Sequence, residues 1–333
     1  MFLLKSGYFC FILFVFVVFQ PSNLAGQIYR VAEMNTKQIQ NLDKQKTVVI
    51  LTGGVLEQHG PYMPSFSDGY INERYTRDLS EAIVARPGWS VLMFPTIPLG
   101  TGGANEIGYK NVFAGSYGVR ASTLRTVFMD LATQLGEQGF RWVFIVHGHG
   151  SPLHNQALDQ AGDYFRDTFG GRMVNLDGLL PKPIADLPPL PTLTEKEREE
   201  NGFDIHAGMS ELSRILYIRP DLVDSSYKTA RPFSANSMES LVQIARGNSW
   251  LGYFGSPRLA TASRGAQIYR RQSFQMVDVA LKIIDGLDER TIPRFANESL
   301  SDPAEFAVSK GSIKRDEEME SRQREWLRKK KLQ

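Results

Sequence analysis

Three short apolar runs, each closing on a glycine-bearing turn, set the limits on this fold: TVVILTGG (47–54), WSVLMFPTIPLG (89–100) and RWVFIVHGHG (141–150). Each is short for a helix and too uniformly apolar for a strand with one face in water. Each therefore reads as a strand covered on both faces. Amphipathic stretches separate them. Ile71, Tyr75, Leu79 and Ile83 recur at helical spacing in 71–86. Leu124, Val127, Phe128, Leu131 and Leu135 do so in 122–139, with Gly139 as the stop. A helix over 154–171 leads into a fourth short strand, RMVNL (172–176). Strand then helix, repeated, implies right-handed crossovers and a mostly parallel sheet with helices on both faces. The expected fold class is a single three-layer α/β/α domain, with ligands outside the carboxyl ends of its strands.

Residues 181–203 interrupt the rhythm. Five prolines (181, 183, 188, 189 and 191) precede the charged TEKEREENG, which suits a connector or a flap. Helices resume at 206–218 and 260–286. The tail DEEMESRQREWLRKKKLQ (316–333) puts acids before bases, the order a helix macrodipole favours, and reads as a solvated terminal helix. At the other end, residues 1–26 carry one lysine, an apolar run from Tyr8 to Phe19, then Pro21 and small residues. That is the layout of a secretory signal peptide, since a membrane span needs about 20 apolar residues. An uncleaved anchor is the alternative. The expected division is a leader (1–26), one large domain (27–300) and a charged helical tail (301–333), in a protein exported to a periplasmic or extracellular space. The single cysteine, Cys10, excludes an internal disulfide, a zinc finger and a Cys/His nucleophile pair. A net charge of +2 provides no basic field for nucleic acid.

All five histidines, His59, His147, His149, His154 and His206, fall in three segments, and the helices at 71–86 and 260–286 hold none. In GGVLEQHGPYMPSFSD (53–68), Glu57 and His59 stand two apart at a strand exit and Asp68 returns on the following loop. Residues i and i+2 of an extended segment point to one side, so Glu57 projects with His59, and His147 with His149. Neighbouring glycines give the backbone room to turn. Carboxylates with imidazoles suit zinc, manganese or iron, and such a set can hold two ions about 3.5–4 Å apart on a shared carboxylate. His147 has a second reading as a hydrogen-bonding neighbour of a ligand, and His154 reads as a capping or surface residue. Competing motifs are absent or weak. There is no Gly-x-Ser-x-Gly and no His-Glu-x-x-His, and GTGGAN (100–105) lacks the spacing of a nucleotide-binding loop.

These segments resemble the creatininase (creatinine amidohydrolase) superfamily. GGVLEQHGPYMPSFSD is similar to its Glu-x-His-Gly…Asp motif, FAGS (113–116) to its Phe-Pro-Gly-Thr turn, and GFRWVFIVHGHGSPLHN to its strand ending in Asn-Gly-His-Gly-Gly-Asn. HAGMSELS (206–213) is similar to its His-Ala-Gly-x-x-Glu-Thr-Ser, and GSPRLATASRGAQ (255–267) more weakly to its Gly-Asp-Pro…Ala-Thr…Gly segment. The resemblance implies two divalent metal ions, Zn or Mn, with Fe as a further option. Glu57, Asp68 and His149 would hold one. His59, Asp68 and a further carboxylate would hold the other, around a bridging hydroxide. The family's further carboxylate lies two residues after His149, where this chain has Ser151, so Glu211 is the expected substitute. His206 and Glu211 form the expected catalytic pair, with His206 protonating the leaving nitrogen. A small-molecule amide substrate and a homo-oligomer, often a hexamer, are also implied. His147, Tyr62 and Pro152 replace family residues, and 177–205 has no tryptophan, so creatinine itself is not implied as substrate. The same scaffold also hosts formamide, small-peptide and ring C–C cleavage, and a non-catalytic binding protein is the remaining alternative.

Overall fold

The apolar runs form the strands they predict. In the computed structural model, which describes residues 26–184, 187 and 189–332, β1 (Ile28–Arg30), β2 (Thr47–Thr52), β3 (Ser90–Met93), β4 (Trp142–Val146) and β5 (Arg172–Asn175) make one sheet. Its order is β1-β3-β2-β4-β5 and every pairing is parallel. β1 has only three residues and an exposed edge, so no hydrophobic pattern announces it. The leader up to Ala25, with Cys10, lies outside the described residues, as does Pro188 of the proline stretch.

The helices are α1 (Thr36–Gln40), α2 (Ser67–Val84), α3 (Ala104–Ile107), α4 (Ala121–Glu137), α5 (Pro152–Phe169), α6 (Glu195–Asn201), α7 (Met209–Ile218), α8 (Met238–Arg246), α9 (Ala262–Ile284), α10 (Phe295–Ser301) and α11 (Pro303–Lys329). Alternation along β2 sorts them into layers. Val48 and Ile50, with Phe144 and Val146 of β4, pack against Tyr75 and Leu79 of α2, Leu212 of α7 and Val279 of α9. Val49 and Leu51 face the other way, with Val143 and Ile145, against Phe128 of α4 and Leu158 and Phe165 of α5. A smaller apolar cluster ties α3 to α8 through Ile107, Leu241, Trp250 and Phe254. The chain leaves β2 through α2 to reach β3 on one side, then crosses through α4 to β4 on the other. The crevice at the carboxyl ends of β2 and β4 is thus the topological switch point, where such sheets bind ligands.

Among the boundaries that differ from the sequence reading, three bear on the site and the tail. α2 begins at Ser67, so Asp68 sits in the first helical turn and not on a loop; the macrodipole there favours its negative charge. α7 begins only at Met209, leaving His206 in the preceding loop. Ala207 takes a positive φ of 53°, which a right-handed helix cannot include. α11 starts at Pro303, where the Asp302 side chain accepts from the Ala304 and Glu305 N–H groups. Its Ser309, Gly311 and Ser312 are buried, so its first half is docked and only its later turns are solvated.

Phe144 is fully buried in β4 between two neighbouring strands. Phe144→Ala is expected to lower unfolding free energy by about 3–5 kcal/mol in a urea titration, through lost burial and the cavity left behind.

Candidate metal centre

Two strand exits meet at the switch point, and side-chain amides hold them there. Asn72 of α2 donates from Nδ2 to the Gly53 carbonyl after β2 (2.9 Å) and to the Gly148 carbonyl after β4 (3.1 Å). Asn155 of α5 donates to the His149 and Ser151 carbonyls at 2.8 and 3.0 Å, and Asn175 of β5 donates to the Asn155 side chain at 3.0 Å. The paired glycines answer to packing and not to turning. A Cβ on Gly53 would fall 2.0 Å from the His147 ring, and one on Gly54 2.6 Å from the Gly69 backbone. Of the glycines expected to turn the chain near the site, only Gly60 has a positive φ (65°).

Glu57, His59, Asp68, His149, His206 and Glu211 converge on one buried spot. Asp68 lies at its centre, with Oδ2 3.1 Å from His149 Nδ1 and Oδ1 3.6 Å from His59 Nε2. Glu57 Oε2 is 3.2 Å from the same His149 nitrogen, and Glu211 Oε2 is 3.8 Å from the same His59 nitrogen. Two triads result, Glu57–Asp68–His149 and His59–Asp68–Glu211, the donor atoms of each within 4.8 Å of one another. Glu57, His59 and His206 make a third such group. His206 packs against His59 with the rings tilted by 44° and their centroids 4.6 Å apart, and it donates from Nε2 to the Gln58 carbonyl at 2.8 Å. Glu211, in the first turn of α7, accepts from the Ala207 N–H at 2.6 Å.

The backbone fixes which nitrogen of each histidine faces the carboxylates. His59 Nδ1 donates to the Glu57 carbonyl (2.9 Å), which turns Nε2 inward. His149 Nε2 donates to the Gly102 carbonyl (3.2 Å), which turns Nδ1 inward. Glu57 Oε1 accepts from the Ala104 N–H at 2.5 Å. Both partners belong to GTGGAN, which supports the site through its backbone. Its one sequence signal was a glycine-rich run directly after a strand exit.

His147 and His154 sit elsewhere. His147 and His149 do not project together: the chain turns after β4, and the His147 ring packs edge-on against Phe128 in the core. His154 is neither capping nor at the surface; it is fully buried, its Nε2 3.1 Å from His147 Nδ1. Ser151 caps α5 through the His154 N–H (3.4 Å), and Tyr62 packs on Tyr253 with centroids 5.7 Å apart. None of these four belongs to the three potential ligand groups.

Electrostatics separate the two kinds of histidine. Burial draws His59 toward neutrality, but Asp68, Glu211 and Glu57 outweigh it and push its pKa up to about 10. Against the same burial, Glu57 and Asp68 push His149 up to about 9. Burial would raise Asp68, yet His149 and His59 hold it well below the usual carboxylate range. Glu57 is raised by burial, which those two histidines only partly offset. Burial brings His147 and His206 down to about 4, with nearby His59 adding to the effect on His206. Burial and the neighbouring His147 hold His154 well below the usual imidazole range.

The residues fit divalent cations. His59 Nε2 and Glu57 Oε2 are buried without a hydrogen-bond partner, and both point into the triads. The donors are nitrogen and oxygen with no thiolate, a set that zinc, manganese and iron accept. Each inward imidazole is braced from behind by a carbonyl, as metal-bound histidines are. Two cavities meet at His149 and Gly150. One, of about 370 Å³, runs from Asp68 past Asp177 and Arg214 toward Met276 of α9. The other, of about 250 Å³, opens from Glu57 and His206 toward α11.

A family model described as "Creatininase: Creatinine amidohydrolase" matches residues 32–280. The chain belongs to the creatininase family. A protein named mycofactocin precursor peptide peptidase, from Mycobacterium ulcerans (strain Agy99), is 28% identical over 255 residues, 74% of this chain and 88% of that protein. Creatinine amidohydrolase of Pseudomonas putida is 27% identical over 186 residues, 53% of this chain and 66% of that one. The solved structure named "Creatininase Mn" shares the fold, with a TM-score of 0.55 at 21% identity over 76% of this chain and 98% of its own. A mutant creatininase of "Zn-Zn type" gives 0.55 and 21% over 76% and 97%.

Asn72→Leu is expected to release both strand exits and leave their carbonyls unpaired. Unfolding free energy should fall by about 1–3 kcal/mol in urea, and a chelator competition should show weaker metal retention than in the parent protein.

Proposed function

We propose that this protein is a metal-dependent amidohydrolase that opens the C–N bond of a small cyclic or linear amide. The observation that carries the reading is Asp68, whose two oxygens face different histidines in separate carboxylate–imidazole triads. Glu57, Asp68 and His149 would hold one divalent ion; His59, Asp68 and Glu211 would hold the other, with Asp68 shared. Two such ions, zinc or manganese, would acidify a water and polarise the amide carbonyl.

The chain's own residues supply orientation and proton transfer. The Ala104 N–H and the Gly102 carbonyl keep Glu57 and His149 in place. His206 donates Nε2–H to the Gln58 carbonyl, and its Nδ1 lies 3.9 Å from Glu211 Oε2. A ring with a pKa near 4 is neutral at pH 7. His206 therefore starts as a proton acceptor. It becomes the donor to the leaving nitrogen only after it has taken a proton from the attacking water.

A second reading, cleavage of a short peptide, draws on two observations. Relatives from mycobacteria bear the name of a peptide peptidase. Cavities on both sides of His149 leave room for a substituent on each side of the amide. We further propose export, carried by the leader pattern at 1–26, and assembly into a homo-oligomer, carried by the family resemblance.

Asp68→Ala and His149→Ala should each lose metal, by elemental analysis, together with hydrolysis across a panel of lactams, formamides and dipeptides. Full activity in metal-free protein would end the proposal. Proton counting gives an independent check. With pKa values near 10 and 9, His59 and His149 are protonated at pH 7.5 in metal-free protein. Metal must displace those protons. Calorimetry in buffers of different ionisation enthalpy should register about two protons released per chain at pH 7.5, fewer as pH rises past 9 to 10. Apparent metal affinity should weaken as pH falls.

A further inference from the structure

The family match ends at residue 280, and the chain then continues into α10 and α11. The first half of α11 lies over the candidate site. Gly311 sits so close to α3 that a Cβ there would fall 1.7 Å from the Glu106 carbonyl oxygen. Asn111 Nδ2 donates to Glu318 at 3.0 Å, and Asp316 accepts from the Ala121 N–H at 2.8 Å. α11 is thus fastened to α3, whose Ala104 N–H braces Glu57, and to the chain that follows it. The cavity of about 250 Å³ lies between: Glu57, His149 and His206 line its inner side, and Val308, Ser309 and Ser312 of α11 line its outer side. Ser309 is 4% exposed and its hydroxyl has no hydrogen-bond partner. A buried hydroxyl left unpaired forfeits the hydrogen bonds it would make in water, so a partner supplied by a ligand would be favoured.

We propose that α11 is the outer wall of the substrate pocket and selects compact amides. The substituent on one side of the scissile bond would be a short aliphatic group, with Val308 limiting its length and the Ser309 hydroxyl hydrogen-bonding a hydroxyl or carbonyl at its end. The inference rests on the amidohydrolase reading above and adds a specificity element from outside the family-matched region. A cavity of about 250 Å³ accommodates an aliphatic group of several carbons, so the limit on length falls to Val308 in its outer wall and not to volume.

The test uses metal-loaded full-length protein and binding, not turnover. Alkyl hydroxamates of graded length, from acetohydroxamate to octanohydroxamate, would be titrated by calorimetry, alongside hydroxyalkyl analogues of the same lengths. The wild type should bind the short members and lose about tenfold or more in affinity toward the long ones. Val308→Trp should move that cut-off to shorter chains, and Val308→Ala to longer ones. Ser309→Ala, nearly isosteric, should weaken the hydroxyalkyl members more than alkyl members of equal length. If the wild type binds hydroxamates but neither Val308 variant moves the cut-off, the wall assignment falls while the metal-site reading stands. Wild-type protein that binds no hydroxamate of any length takes down both.

Discussion

Carboxylates packed into one buried spot repel one another, and the rest of the site answers that repulsion. Glu57 and Asp68 share one triad and Asp68 and Glu211 the next, with donor atoms within 4.8 Å. At about 4 Å and an effective dielectric of about 20, each like-charged contact costs roughly 4 kcal/mol. Two such contacts approach the net stability of a typical domain, about 5–15 kcal/mol. Positive charge must therefore sit between them. Without metal it is the protons on His59 and His149, whose pKa values the carboxylates raise to about 10 and 9. The same field that holds those protons would hold divalent cations more tightly, because each ion brings twice the charge to the same place.

The scaffold keeps these groups close by bracing them from behind. Asn72 couples the exits of β2 and β4, and carbonyls of Glu57 and Gly102 orient the two inward imidazoles. His147 and His154 belong to this bracing in another way. Buried and neutral, they fill the space behind the β4 exit without adding charge to the site. The Gly53 position has no room for a side chain because the His147 ring occupies it.

Much of the layered fold was legible because strands buried on both faces and amphipathic helices leave different periodicities. The convergence of the two carboxylate–imidazole triads was legible through the family resemblance, and the spacing of Glu57 and His59 pointed to the same place. What escaped was set by backbone detail. β1 pairs through three mostly exposed residues, with no hydrophobic signal. His206 looked helical because HAGMSELS has helical spacing, but the positive φ of Ala207 separates it from α7. His147 and His149 were expected on one side, a rule for extended chain that fails once the backbone turns after Val146. GTGGAN was read only for the spacing of its glycines, whereas it meets the site through one carbonyl and one N–H. The docking of α11 depends on the fit of Gly311 to α3, which no periodicity encodes.

The reversal of strand order around β2 has a kinetic consequence. The cluster draws on the chain near residues 57, 149 and 211, and one of its hydrogen bonds, from His206 to Gln58, spans 148 positions. Parallel sheets gain little from local contacts, so loop closure must precede most of the stabilising pairings. The half-sites cannot meet until β4 has docked beside β2 and α7 has closed over them. A cation held by both triads would therefore be captured late on the folding path, after an interval in which the carboxylates are assembled only in part.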